Sequence, residues 1–153
     1  RVVAMIGKYR DGIVPAAAPD AAIAAVIAEA RDLVAERIGE MELTEALEAA
    51  WEVVRALNRF VEERAPWTLA KDPERADELD LVLYTLADGT RACAILLAAV
   101  LPRTAPRILT AVGAADDLGW DHARPGALAA GSVVAASEPL FPRIEEPLGG
   151  DAS

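Results

Sequence analysis

Few side chains in this sequence are of the kinds that do covalent or metal chemistry. His122 is the sole histidine and Cys93 the sole cysteine, so neither a Cys/His set with metal-ligand spacing nor a Cys–His nucleophile pair can be assembled. His122 stands among glycines and prolines and reads as a surface residue, while Cys93 falls on the apolar face of a helix and reads as packing. No GxxxxGK[ST] loop or strand-linked GxGxxG occurs, which leaves no cradle for nucleotide phosphates. Carboxylates are plentiful, yet the Glu-x-x-His motif of carboxylate metal bundles is missing, and Glu29, Glu36, Glu48 and Glu52 read as solvated helix faces. The expectation is a chain with no catalytic and no metal-binding residues.

Aromatic residues are the remaining candidates for recognition. Trp51 sits on a helical apolar stripe and is expected in the core, and Trp120, after Leu118-Gly119, is expected to anchor a tail. Trp67 is different. It follows the stretch NRFVEERAP, from Asn58 to Pro66, in which an amphipathic helix stops abruptly at a proline that lacks an N–H and fixes φ. An indole held on such a turn either plugs a core or is presented to a partner, and the residues alone leave both open.

Charge narrows the partners. Lys and Arg total 15 against 25 Asp and Glu, a formal charge of −10, which argues against a protein that clamps a phosphate backbone non-specifically. Nucleic acid would have to be met locally. No apolar run approaches the roughly 20 residues needed to cross a bilayer, so no membrane is expected, and a lone cysteine suits a reducing cytoplasm. The first residues show no secretory leader. They read instead as the tail of a helix, so the sequence is expected to be a fragment of a longer chain.

The elements that must position these residues follow from periodicity. A length of 153 residues fits one domain. Residues 1–9, RVVAMIGKY, have apolar side chains at helical spacing, and the Pro-containing stretch from Gly12 to Pro19 should run extended. Asp20 stands where an N-cap should, ahead of a helix carrying Ile23, Val26, Ile27, Ala30 and Ile38 and closing near Gly39. Thr44 reads as the cap of a third helix with Leu47, Ala50, Trp51, Val54, Leu57 and Val61 on one stripe, running to about Arg64. A long apolar fourth helix spans Leu79 to Leu101 and ends at Pro102, and a short fifth lies between Pro102 and Gly113. Beyond Asp116, glycines and prolines break every candidate helix, and only Ser132 to Ala136 suggests a short strand. The expected fold is all-α: an antiparallel bundle over residues 1–113, with an extended irregular tail over 114–153 in the same domain. A tail this long without its own core should pack along another surface.

Three segments resemble one family. NRFVEERAPWTLAKD resembles the close of the main helix in the anticodon-binding domain of methionyl-tRNA synthetases; RVVAMIGKYRDG resembles the end of that domain's opening helix; and EPLFPRIE, Glu138 to Glu145, resembles the close of the synthetase core. The three occur in family order over nearly the whole chain. The resemblance implies that Arg1 and Trp67 recognise the CAU anticodon of methionine tRNAs, together with an Asn four residues before Arg1, outside this sequence. Arg59 matches a position that also accepts Lys and is a supporting residue. Pro66 sets the turn, and Asn58 is expected to brace it through a side-chain bond to backbone. The chemistry is sound, because splayed anticodon bases stack on aromatic planes and present acceptors to an arginine fork.

The HIGH and KMSKS signatures of the family's ATP site do not occur in these residues. The resemblance therefore implies that aminoacylation, ATP with Mg, and the usual zinc-knuckle insertion belong to an N-terminal catalytic domain of the same chain, with the tRNA(Met) anticodon loop as partner of this part. Two other readings stand beside it. One is the anticodon domain of another class I synthetase, such as the cysteinyl, leucyl, isoleucyl or valyl enzyme, which the Pro-Trp turn and the PLFPRIE close disfavour. The other is a helical interaction or scaffold domain whose Trp67 faces a protein.

Overall fold

All five expected helices are present in the computed structural model, which describes residues 1–114, 118–135 and 140. They are α1 (Val2–Arg10), α2 (Ala21–Gly39), α3 (Leu43–Arg64), α5 (Ala76–Leu96) and α6 (Ala105–Ala111); a single turn, α4 (Pro66–Leu69), intervenes between α3 and α5. The architecture is an all-α bundle built around α5, which packs against every other helix. Its face is buried almost without interruption from Leu79 to Leu97.

Asp20 caps α2 as expected, its carboxylate accepting the N–H groups of Ala22 at 3.0 Å and Ile23 at 3.3 Å. The same side chain receives Arg64 at 2.9 Å, which ties the end of α3 to the start of α2 and places a cation at a helix C-terminus. Opposite directions of α3 and α5 follow from two contacts: Arg64 lies 4.0 Å from Glu78, and Leu57 meets Gly89. A Cβ on Gly89 would stand 2.6 Å from Leu57 Cδ2, so the two helices cross at a point where only glycine fits without movement. α1 also runs against α5, since Arg10 at its end binds Asp80 at 2.5 Å and the carbonyl of Ala76 at 3.2 Å.

Four expectations are corrected. Thr44 is not a cap: α3 begins at Leu43 without any side-chain cap. The corner is instead made by Met41 in the left-handed region at φ 64° and fastened by Arg37, which binds Glu40 at 3.0 Å and Glu42 at 2.6 Å. The fourth expected helix stops at Leu96, five residues short of Leu101; the chain tightens into turns ahead of Pro102, with Val100 and Leu101 N–H groups both donating to the Leu97 carbonyl. Trp51 is not core, being 50% exposed: it lies in an open groove with Leu47, Leu97, Val100 and Leu101. In place of a strand from Ser132, the described residues have an isolated bridge between Ile13 and Val133.

The described part of the tail lies on the bundle itself. Gly113 ends the α6 turn at φ 77°, where a Cβ would come within 2.6 Å of the Val133 carbonyl. A 3-10 turn at Trp120–Ala123 follows, with Trp120 half-buried under the guanidinium of Arg31, 5.7 Å from the ring centroid. Residues 131–134 then pair with the α1–α2 connection through Val14 and Gly12. The fastening is a buried ion pair that no periodicity announces. Asp88 and Arg91, one turn apart on α5, are bonded at 2.9 Å; Asp88 accepts the amides of Gly126 and Leu128, and Arg91 donates to the carbonyls of His122 and Arg124. Tyr84 adds a bond to the Leu128 carbonyl at 2.8 Å, and burial, then the nearby Asp88 charge, pushes its phenol up. His122 is exposed and Cys93 buried. Apart from Leu140, EPLFPRIE lies outside the described residues, as does Ala136.

Candidate nucleic-acid interface

The turn that carries Trp67 is made by two residues acting in sequence. Ala65 adopts the left-handed region at φ 44° and its N–H closes α3 on the Val61 carbonyl at 3.1 Å. Pro66 then occupies the first position of α4, where its missing N–H costs nothing. One helical turn later Leu69 is buried, 2% exposed, which pins α4 to α5 and turns the opposite side of α4 outward. Trp67 stands on that side, 38% exposed.

Arg1 meets it there. The guanidinium carbon of Arg1 lies 5.9 Å from the centroid of the Trp67 ring, although 65 residues separate the two in sequence. One of its nitrogens also donates to Glu62 at 2.7 Å, with both side chains exposed. An exposed cation–π contact is worth about 0.5–1 kcal/mol and an exposed ion pair about 0–1 kcal/mol. Together they come to no more than about 2 kcal/mol, comparable to the about 1–3 kcal/mol of one stacked base. An aromatic face, a planar donor fork and open solvent therefore share one edge of the bundle.

Of the supporting residues, Pro66 and Asn58 join this edge and Arg59 does not. Asn58 and Arg1 line the mouth of an apolar cavity of about 200 Å³, walled by Val2, Met5, Leu57 and Cys93. The expected brace from Asn58 is absent among the described residues, for its exposed side chain makes no hydrogen bond to the turn; backbone bonds from Thr68 and Leu69 to the Ala65 carbonyl close it instead. Arg59 projects to the groove between α2 and α3 beside Glu29 and Glu52, and its charge helps to lower Glu52, after the stronger hydrogen bond from Arg55. Sequence reasoning passed over Glu62. Its spacing of four from Asn58 puts both on one face of α3, a signal that was available.

No helix of the described residues is long and apolar enough to cross a membrane. Among those residues, no group of three or more His, Cys, Asp and Glu is placed to hold a metal ion.

The chain is similar to known proteins over most of its length. Residues 14–148 match the family model described as the anticodon binding domain of methionyl tRNA ligase. A methionine–tRNA ligase of Deinococcus radiodurans is 38% identical over 149 residues, covering 95% of this chain and 22% of the relative. One from Bacillus subtilis is 34% identical over 152 residues, covering 95% of this chain and 23% of the relative. Among solved structures, the free-state methionyl-tRNA synthetase of Mycobacterium tuberculosis superposes with a TM-score of 0.81 at 30% identity, covering 96% of this chain and 31% of that one. The same organism's enzyme in complex with methionyl-adenylate gives 0.79 at 30% identity, over 94% and 29%. The chain therefore spans less than a third of the proteins it resembles. Helical architecture and sequence agree: the chain belongs to the family of anticodon-binding domains of methionyl-tRNA ligases.

Proposed function

We propose that this chain reads the CAU anticodon of methionine tRNAs at the Arg1–Trp67 edge, and that the full-length protein containing it attaches methionine to tRNA in the cytoplasm. The observation that carries the reading is the guanidinium of Arg1 over an outward-facing Trp67 at 5.9 Å. A loop base stacks on the indole while the fork, released from Glu62, donates to base or phosphate acceptors. The family's Asn, four residues before Arg1, lies one helical turn away on the same face and completes the set. Pro66 holds the platform, and Asn58 offers a further amide at the cavity mouth. An acidic remainder suits this arrangement, because three bases read locally need no basic surface and surrounding carboxylates repel unrelated RNA.

The chemistry of aminoacylation belongs, in this reading, to the catalytic half of the longer chain, which uses ATP with Mg and carries zinc where the family's knuckle is present. This domain selects the tRNA and that half joins the amino acid to it. The test is a titration of the full-length protein with anticodon stem-loops bearing CAU and a one-base variant. Markedly tighter binding of CAU is expected. Equal affinity for the two, or no binding of either, refutes the reading and returns Trp67 to a protein-facing role.

A further inference from the structure

Between α1, α3 and α5 the bundle does not close completely. A cavity of about 200 Å³ remains, walled by Val2, Met5, Val54, Leu57, Val61 and Leu86 and opening beside Arg1 and Asn58. An apolar cavity of about 150 Å³ takes a benzene ring, so this one has room for a ring and one substituent. Its inner polar groups give a ligand little to bind. The Thr90 hydroxyl already donates to the Leu86 carbonyl at 2.7 Å, and the Cys93 thiol is a weak donor. A water inside would lack the two to four polar partners that hold one in place, and an apolar group that displaces such a water gains affinity.

Strong donors stand only at the mouth. Asn58 is exposed; its side-chain amide makes no hydrogen bond among the described residues and carries two N–H donors. Arg1 engages Glu62 through one nitrogen at 2.7 Å, and a guanidinium has five N–H groups, so a second acceptor can be served. Glu62 also decides what charge that acceptor carries. With its carboxylate beside the guanidinium the mouth has no net charge: an anion is repelled by Glu62 and a cation by Arg1. A neutral carbonyl accepts from Asn58 and Arg1 and meets neither repulsion. A nucleobase fits poorly, because its donors and acceptors lie along several edges and those turned inward would be left unpaired.

We propose that this cavity binds a small neutral aromatic amide, with its ring among Val54, Leu57 and Leu86 and its carbonyl turned outward to Asn58 and Arg1. Trp67 does not line the cavity, so the site stands whether or not the neighbouring edge reads an anticodon.

Methyl-detected NMR of the full-length protein, titrated with benzamide, benzoate and toluene, tests this. Benzamide should shift the methyls of Val54, Leu57, Val61 and Leu86 saturably, with a Kd on the order of 1 mM for its roughly nine non-hydrogen atoms. Benzoate should bind at least about fivefold more weakly. Val54→Phe, which fills the cavity with its own ring, should abolish the shifts at Leu57 and Leu86. Asn58→Leu, at an exposed position and so independent of any folding defect in the first variant, should weaken benzamide about two- to tenfold and leave toluene unchanged. The proposal is overturned by benzamide that shifts none of the four methyls, by benzoate that binds as tightly, or by Asn58→Leu affecting benzamide and toluene alike. Displacement of benzamide by an equal concentration of adenosine, cytidine or uridine also overturns it, since the cavity would then be a pocket for a base.

Discussion

Asp88→Ala removes a carboxylate that is 0% exposed and accepts four hydrogen bonds: from Arg91 Nε at 3.1 Å and Nη2 at 2.9 Å, and from the amides of Leu128 at 3.0 Å and Gly126 at 2.6 Å. Alanine leaves the Arg91 guanidinium, 3% exposed, without a counter-charge, and strands two amides. Breaking a buried pair from one side costs about 3–5 kcal/mol, out of a total stability of about 5–15 kcal/mol for a domain. At about 2–4 °C per kcal/mol for a chain of this size, the thermal midpoint should fall by about 6–20 °C.

The Asp88→Ala/Arg91→Met pair of changes separates this cause from simple loss of volume. With both charges gone the desolvation cost disappears too, so the double variant should be more stable than Asp88→Ala alone. Thermal unfolding by circular dichroism gives the four midpoints, those of the parent chain, Asp88→Ala, Arg91→Met and the double variant, and hydrogen exchange at Gly126 and Leu128 reports whether the tail has come away from α5. A loss below about 1 kcal/mol for Asp88→Ala, or a double variant whose loss equals the sum of the two singles, refutes the reasoning.

Three further outcomes are expected. Trp67→Ala should weaken CAU stem-loop binding by about 5- to 150-fold, the equivalent of 1–3 kcal/mol of stacking, with a thermal midpoint almost unchanged; a large loss of stability would make Trp67 a core residue. Trp51→Ala in the 153-residue chain should cost about 1–2 kcal/mol, less than the 3–5 kcal/mol of a fully buried tryptophan, as read from denaturant melts. Burial pushes the Cys93 thiol up to about 12, so the native chain should not react with Ellman's reagent at pH 8, whereas the unfolded chain should yield one thiol. Because the folded pKa is raised, this group's contribution is fully present below the unfolded thiol value and declines at about 1.4 kcal/mol per pH unit from there to about 12; a stability that rises over that window would contradict the burial.

What the sequence discloses about this fold depends on how far apart the deciding residues are. Asp20 as a cap needs only the next three residues, and it is where periodicity places it. Trp51 shows the limit. Its spacing from Leu47 and Val54 fixes the angle at which it leaves α3, but not what stands opposite, and there it faces an open groove with Leu97, Val100 and Leu101. Asp88 and Arg91 are visible as charges three apart in an apolar helix, a pattern that calls for partners. Those partners are backbone groups of residues 122–128, whose glycines and prolines predict irregularity and say nothing about where the chain lies. Arg1 and Trp67 are the extreme case: periodicity offers no reason to pair them, and their meeting at one edge comes from the resemblance and from the geometry.

That meeting depends on α5 although neither residue belongs to it. α1 reaches α5 through Met5 and Ile6, α4 through Leu69, and the tail through Asp88 and Arg91. The buried pair lies on the side of α5 that faces the tail, whereas Leu86, Thr90 and Cys93 face Arg1. One helix thus has two faces with separate duties. A change that frees the tail lowers stability without touching the platform, and a change at Trp67 removes the platform without loosening the bundle. Because interiors are close-packed and transmit displacement, the position most able to couple them is Gly89, where Leu57 of α3 already stands closer than a Cβ would permit. A side chain there must displace the Leu57 side chain, next to Asn58 on α3, and so disturbs the α3–α5 contact that lies between the tail and the platform.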